Sequence, residues 1–214
     1  MHEFSFPSLY PILDSIYLTG AADRAAMLRR LVHDLVTAGV QILQYRNKSA
    51  DEAQILADAC ALREAAAGTG LLLILNDYPS LAVEFDGVHI GQTDMPPDHA
   101  RAILGPKKIL GVSTHNEAQL RAADSQPVDY IAVGPVYPTA TKENPDPVIG
   151  LEGVRLARQL TRKPLVAIGG ITAANAPAVL RAGADSVAVI SAISQPRADS
   201  GADVAARVRE FLHM

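Results

Sequence analysis

Eight short apolar runs, each followed by an amphipathic or irregular segment, recur along the chain, and this alternation constrains the fold more than any single motif. The runs are 9–13, 40–43, 71–75, 86–91, 108–112, 130–133, 165–168 and 186–190. Short continuous apolar runs separated by helical patterns indicate βα units on a parallel sheet whose strands are covered on both faces. Pro11, in the first run, is tolerated only near a strand start or at an irregularity. No linker-like or low-complexity stretch divides the 214 residues, and a single α/β barrel commonly takes roughly 200 to 250. The expectation is one α/β domain over residues 1–214, a single (β/α)8 TIM barrel with its site at the C-terminal ends of the strands.

The segments between the runs bear this out in places. After the first run, Met27, Leu28, Leu31, Val32, Leu35 and Val36 recur at helical spacing, and Gly39 ends the pattern. Ser49 and Glu52 have the spacing of a capping box for a helix carrying Ile55, Leu56, Ala59 and Cys60. Cys60 is the only cysteine, which excludes an internal disulfide, fits a reducing cytosol and is expected in the core.

The formal charge is 19 minus 23, or −4, with no basic run, so a nucleic-acid surface is not expected. The first residues lack the basic and apolar regions of a secretory leader, and no apolar stretch is long enough to span a bilayer. A soluble cytoplasmic protein with no membrane partner follows, and homo-oligomerisation stays open.

Polar clusters fall where the strands should end. Asn76-Asp77 follows the third run and Gln92-Thr93-Asp94 the fourth. Adjacent parallel strands would put Asp77 and Asp94 at one rim, where two carboxylates repel unless one is protonated or a cation lies between them. Hard oxygen ligands suit magnesium, although Asp77 could simply cap a helix and Asp94 a turn.

Gln44, Arg46 and Lys48 alternate along one extended segment and so point the same way, able to grip an anion or to stand solvated. Gly169-Gly170 after the seventh run and Ser191 after the eighth occupy the usual phosphate corner of such barrels. Two glycines could equally make a tight turn. The segment 134–150, GPVYPTATKENPDPVIG, holds four prolines and no periodicity, and reads as a mobile active-site lid. His89 lies inside a strand and reads as packed, whereas Ser113 and His115 are placed for substrate contact. No nucleophile elbow, zinc-ligand spacing or Gly-rich nucleotide loop occurs.

QYRNK (44–48), ND (76–77), DGVHIGQTD (86–94), GVSTH (111–115), GPVYPTATK (134–142), VAIGGIT (166–172) and VAVISAI (187–193) together resemble the thiamine phosphate synthase family. The resemblance implies a magnesium-dependent transferase of thiamine biosynthesis, whose partners are small phosphorylated substrates. It joins a hydroxymethylpyrimidine diphosphate to a thiazole phosphate with release of pyrophosphate. Carried over by position, Gln44, Tyr45, Arg46, Asn47, Lys48 and Asn76 would hold the pyrimidine diphosphate, and Asp77 and Asp94 would ligate Mg²⁺. Ser113 would touch the pyrimidine or its leaving group. Thr139, Ala140 and Thr141 would meet the thiazole side, with Lys142 and Arg46 on the diphosphate. Gly170, Ile190 and Ser191 would complete the thiazole phosphate pocket.

The chain departs from the family pattern at Tyr78, where arginine is common, and at Tyr45, where leucine is usual. The competing expectations are a metal-free thiazole phosphate tautomerase on the same barrel and a non-catalytic barrel that binds phosphorylated ligands.

Overall fold

A computed structural model describes residues 6–48, 52–139, 146–194 and 204–213. Eight strands form a closed barrel in sequence order: β1 (Leu9–Asp14), β2 (Ile42–Arg46), β3 (Leu72–Asn76), β4 (Gly87–Ile90), β5 (Ile109–Thr114), β6 (Tyr130–Val133), β7 (Leu165–Ile168) and β8 (Ser186–Val189). Every neighbouring pair is parallel, and β8 closes on β1 through Leu9 opposite Val187. All eight C-terminal strand ends therefore share one rim. The (β/α)8 expectation holds.

The helices are α1 (Arg24–Thr37), α2 (Glu52–Ala66), α3 (Pro97–Leu104), α4 (Glu117–Asp124), α5 (Gly150–Leu160), α6 (Ala176–Arg181), the single turn α7 (Ser191–Ser194) and α8 (Val204–Leu212). Short 3-10 turns at Ser15–Leu18 and Pro79–Glu84 follow β1 and β3. The period-2 alternation of the strands sorts their side chains into two cores. Tyr10, Ile12, Ile42, Ile74, Tyr130 and Val166 meet inside the barrel. Leu43, Tyr45, Leu73, Leu75, Val88 and Leu110 face outward, where Leu28, Val32, Ile55 and Leu62 of the helices cover them.

Two expectations change. Cys60 is exposed, because the buried stripe of α2 runs through Ile55, Asp58, Ala59 and Leu62 and leaves Cys60 on the solvent side. Met27 is likewise exposed, while Leu28, Val32 and Leu35 carry the buried face of α1. The segment after β6 is tied down on both flanks. Val136 N–H donates to Ile168 O (2.9 Å), Tyr137 N–H to Gly169 O (3.0 Å) and Ile149 N–H to Pro135 O (2.8 Å). Residues 140–145 of the expected lid, and Ser49 of the expected capping box, lie outside the described residues.

Candidate active site

Four strands run past their apolar runs, β1 and β3 by one residue, β5 by two and β2 by three, because the ladder continues through Gln44 opposite Ile74, Tyr45 opposite Leu75 and Asn76 opposite His89. This extension fixes which side each rim residue faces. Arg46 follows Gln44 on the inner face, and its guanidinium pairs with the carboxylate of Asp14 at the end of β1. The other Asp14 oxygen accepts from Ile16 N–H at 3.0 Å, so Asp14 both caps the first turn and anchors the arginine. Lys48 Nζ reaches Asp77 in a second ion pair.

Tyr45 and Asn47, read from sequence as substrate contacts, turn the other way. Alternation turns Tyr45 outward into the helix layer, where it is fully buried and its hydroxyl donates to Asp58. Asn47 Nδ2 donates back to that hydroxyl at 2.9 Å. Asp58 also receives Arg24 Nε (2.8 Å) and Arg24 NH2 (2.8 Å). These two side chains therefore brace β2 against α1 and α2, on the face away from the barrel interior.

Asp77 adopts φ 73°, the only positive φ at a non-glycine position among the described residues. Asp and Asn tolerate this region best, and such backbone clusters at functional sites. Asp77 N–H still donates to His89 O (2.8 Å), so the residue stays on the β3–β4 ladder while its carboxyl turns toward Asp94. Asp94 in turn accepts Gly91 N–H at 2.7 Å.

The two carboxyls lie close enough for each to shift the other's titration. Burial, with the Asp94 contact adding to it, pushes Asp77 up to about 6 despite the opposing pull of Lys48. Asp94 is held low: burial opposes this, but the hydrogen bonds from Asp77 and Gly91 N–H outweigh it. Two acids brought this close at the ends of neighbouring strands are an arrangement a cation would neutralise.

Asn76 is buried, and its Nδ2 has no hydrogen-bond partner. A buried donor left open at this rim can take an acceptor from a ligand or water. Ser113 Oγ lies 2.8 Å from His89 Nε2. His115 is committed to the loop after β6 instead of the mouth, with Nδ1 2.7 Å from Gly134 O and Nε2 3.5 Å from Asp146.

Gly169 and Gly170 have φ 104° and 62°, and a Cβ at Gly170 would meet Pro138 O at 2.4 Å. These glycines let the β6 loop lie on the β7 loop. Asn175 Nδ2 steadies the turn by donating to Gly170 O at 3.1 Å. Ile190 packs against the inner core and Ser191 opens α7, at the same rim. Thr139 lies in the described end of the loop after Pro138, whereas Ala140, Thr141 and Lys142 fall outside the described residues.

Sequence reasoning missed Asp14, Tyr10 and Tyr130. The tyrosines look like ordinary core within apolar runs, but Asp14 closes its run just as Asp77 and Asp94 follow theirs, and that parallel could have flagged it.

The family described as Thiamine monophosphate synthase matches residues 9–193, nearly the whole barrel. The chain is 46% identical over 210 residues to the thiamine-phosphate synthase of Koribacter versatilis, covering 97% of this chain and 95% of that one. It is 42% identical over 187 residues to the thiamine-phosphate synthase of Chloroflexus aurantiacus, covering 86% and 84%. Among solved structures, the thiamine phosphate pyrophosphorylase of Pyrococcus furiosus superposes with a TM-score of 0.79 at 29% identity, covering 96% and 94%. With the closed parallel barrel, these matches place this chain in the thiamine monophosphate synthase family of transferases.

Proposed function

We propose that this chain condenses 4-amino-2-methyl-5-hydroxymethylpyrimidine diphosphate with hydroxyethylthiazole phosphate, giving thiamine phosphate and pyrophosphate. The observation that carries the reading is the contact between Asp77 and Asp94, from adjacent strands, with Lys48 paired to the first of them. Two anions can share one mouth only where cations and open donors are gathered, and Arg46, Lys48 and Asn76 Nδ2 supply them.

Asp77 and Asp94 fit a magnesium ion. They are two hard oxygen donors already in contact, and among the described residues no cluster of three or more His, Cys, Asp or Glu forms. Magnesium is commonly held by one or two carboxylates together with phosphate oxygens and water. When bound, it would supply positive charge that makes pyrophosphate a better leaving group.

The chain's own residues do the remaining work. Arg46 and Lys48 hold the diphosphate and offset its charge as the C–O bond breaks, and Asp14 keeps Arg46 aimed at the mouth. Gln44, Asn76 and Ser113 orient the aminopyrimidine, which can delocalise the developing benzylic-type cation. The Gly170 turn, with Ile190 and Ser191, seats the thiazole phosphate so that its ring nitrogen faces that carbon. Thr139, Ala140 and Thr141 are assigned to the thiazole side and Lys142 to the diphosphate by sequence position. No side chain is required as nucleophile or base, and rate comes from positioning and charge.

The partners are small phosphorylated molecules. Among the described residues no helix is long and apolar enough to cross a membrane, and the single thiol, Cys60, supports a reducing cytoplasm. The test supplies both phosphorylated substrates with and without Mg²⁺ and follows thiamine phosphate and pyrophosphate. Both products should form only with the metal. Thiazole isomerisation in EDTA without condensation would overturn the reading.

A further inference from the structure

Five polar side chains cross the floor of the barrel mouth as one unbroken series. Gln44 Nε2 donates to the Tyr10 hydroxyl at 3.0 Å. The Tyr10 and Tyr130 hydroxyls are 2.9 Å apart. Tyr130 Oη lies 2.9 Å from His89 Nδ1, and His89 Nε2 lies 2.8 Å from Ser113 Oγ. The series runs from β2 through β1, β6 and β4 to β5, joining two residues assigned to the same substrate ring.

Counting protons gives the series a direction. The Gln44 amide nitrogen is a donor, and it faces the Tyr10 oxygen. Tyr10 therefore cannot give its proton to that nitrogen. If Tyr130 donated to Tyr10, the Tyr10 proton would be buried without an acceptor, a costly arrangement. Tyr10 must donate to Tyr130, and Tyr130 to His89 Nδ1. That nitrogen is then the acceptor, so the ring proton sits on Nε2 and is donated to Ser113 Oγ. The Ser113 proton is left for a ligand.

The fold reserves space for this path. A Cβ at Gly111 would lie 2.0 Å from Tyr130 Cζ, so only glycine lets the phenol reach across the barrel. The Tyr130 ring also lies nearly parallel to the His89 ring, with centroids 5.5 Å apart and planes 23° from each other.

We propose that Tyr10, Tyr130 and His89 are positioning residues whose directed hydrogen-bond chain holds His89 as the Nε2–H tautomer and makes Ser113 a hydroxyl donor to the pyrimidine substrate. The atom it meets must be an acceptor, either a ring nitrogen or a diphosphate oxygen. The inference rests on the reading of Ser113 as a contact of that substrate.

The first test needs no substrate: ¹⁵N NMR of the histidine-labelled protein, with the His89 signals found by difference against His89→Gln. Nδ1 should show the unprotonated type of shift and Nε2 the protonated type. A protonated Nδ1, in either the opposite tautomer or the imidazolium, overturns the proposal whatever the enzyme's activity. In Tyr130→Phe the Nδ1 partner is lost, and the single tautomer should give way to a mixture.

Kinetically, Tyr130→Phe should lower kcat/KM for the pyrimidine diphosphate about tenfold, the scale seen when an orienting partner is removed. KM for the thiazole phosphate should be unchanged. His89→Gln, which can still donate toward Ser113, should retain more activity than His89→Leu. Equal loss in both His89 variants, or equal effects on both substrates, would mark a merely structural role and overturn the proposal. A wild-type protein that makes no thiamine phosphate would instead defeat the reading of function, and the NMR result would stand apart from it.

Discussion

Gly111 lies beneath the ring of Tyr130, close enough that a Cβ at position 111 would meet Cζ at 2.0 Å and Cε1 at 2.3 Å. Tyr130 is fully buried among Phe6, Tyr10 and His89, so the ring has nowhere to retreat. Gly111→Ala should cost about 1–3 kcal/mol, the usual scale of overpacking. Denaturant unfolding of the variant would measure it, and an unchanged midpoint would show that the ring moves freely.

Asp77 and Asp94 should act together on the metal. Alanine at either one should raise the Mg²⁺ concentration for half-maximal turnover by at least about tenfold, since even outer partners of metal ligands count for that much. The check is a magnesium titration of the condensation rate at saturating substrates. Unaltered magnesium dependence in both variants would remove these acids from the metal site.

Arg24 and Asp58 form a pair in which the acid's side chain is buried while the arginine's keeps 23% exposure. Arg24→Ala leaves that carboxylate with the Tyr45 hydroxyl and Gln54 but no cation. A loss of about 3 kcal/mol is expected, as for other buried pairs broken from one side. Asp58→Asn should cost less, because it removes the buried charge itself and leaves a cation that solvent reaches. Chemical denaturation of the two variants gives the ranking.

Tyr10, Tyr45 and Tyr130 all have hydroxyls raised above the ordinary 10.0, chiefly by burial. Asp58 adds to the effect at Tyr45 and Tyr10 adds to it at Tyr130, while Tyr130 and Gln44 partly offset it at Tyr10. A raised folded value means the native state keeps protons that the unfolded chain releases. Their contribution to stability is therefore complete below about pH 10 and declines as pH rises above it. Tyrosinate absorbance from these phenols should appear together with loss of the far-ultraviolet helix signal. Ionisation of all six tyrosines in a fully folded protein would contradict the burial argument.

Much of this architecture was legible because it depends on local pattern. Apolar runs at regular intervals gave the eight strands, and acids or glycines after them marked the rim. What the runs did not reveal was where each strand stops. The apolar run at 40–43 suggests an end at Leu43, yet the ladder with β1 holds through Arg46 opposite Asp14. With that extension, alternation puts Gln44 and Arg46 inside and Tyr45 outside.

The polar series under the mouth was hidden for a different reason. Tyr10, His89 and Tyr130 each sit in an apolar run where an aromatic is ordinary packing. Only the closed sheet brings β1, β4 and β6 within hydrogen-bond reach across the interior. Cys60 and Met27 failed as core residues because helical spacing alone does not fix the centre of the buried stripe.

The seam between Leu9 and Val187 bears on synthesis at the ribosome. The first stave to emerge waits for the last, and until Ser186–Val189 leaves the exit tunnel the growing sheet has two bare borders that could pair with a neighbouring nascent chain. A stop codon just ahead of Ser186 would make those borders permanent, and aggregation would follow in place of a smaller working enzyme.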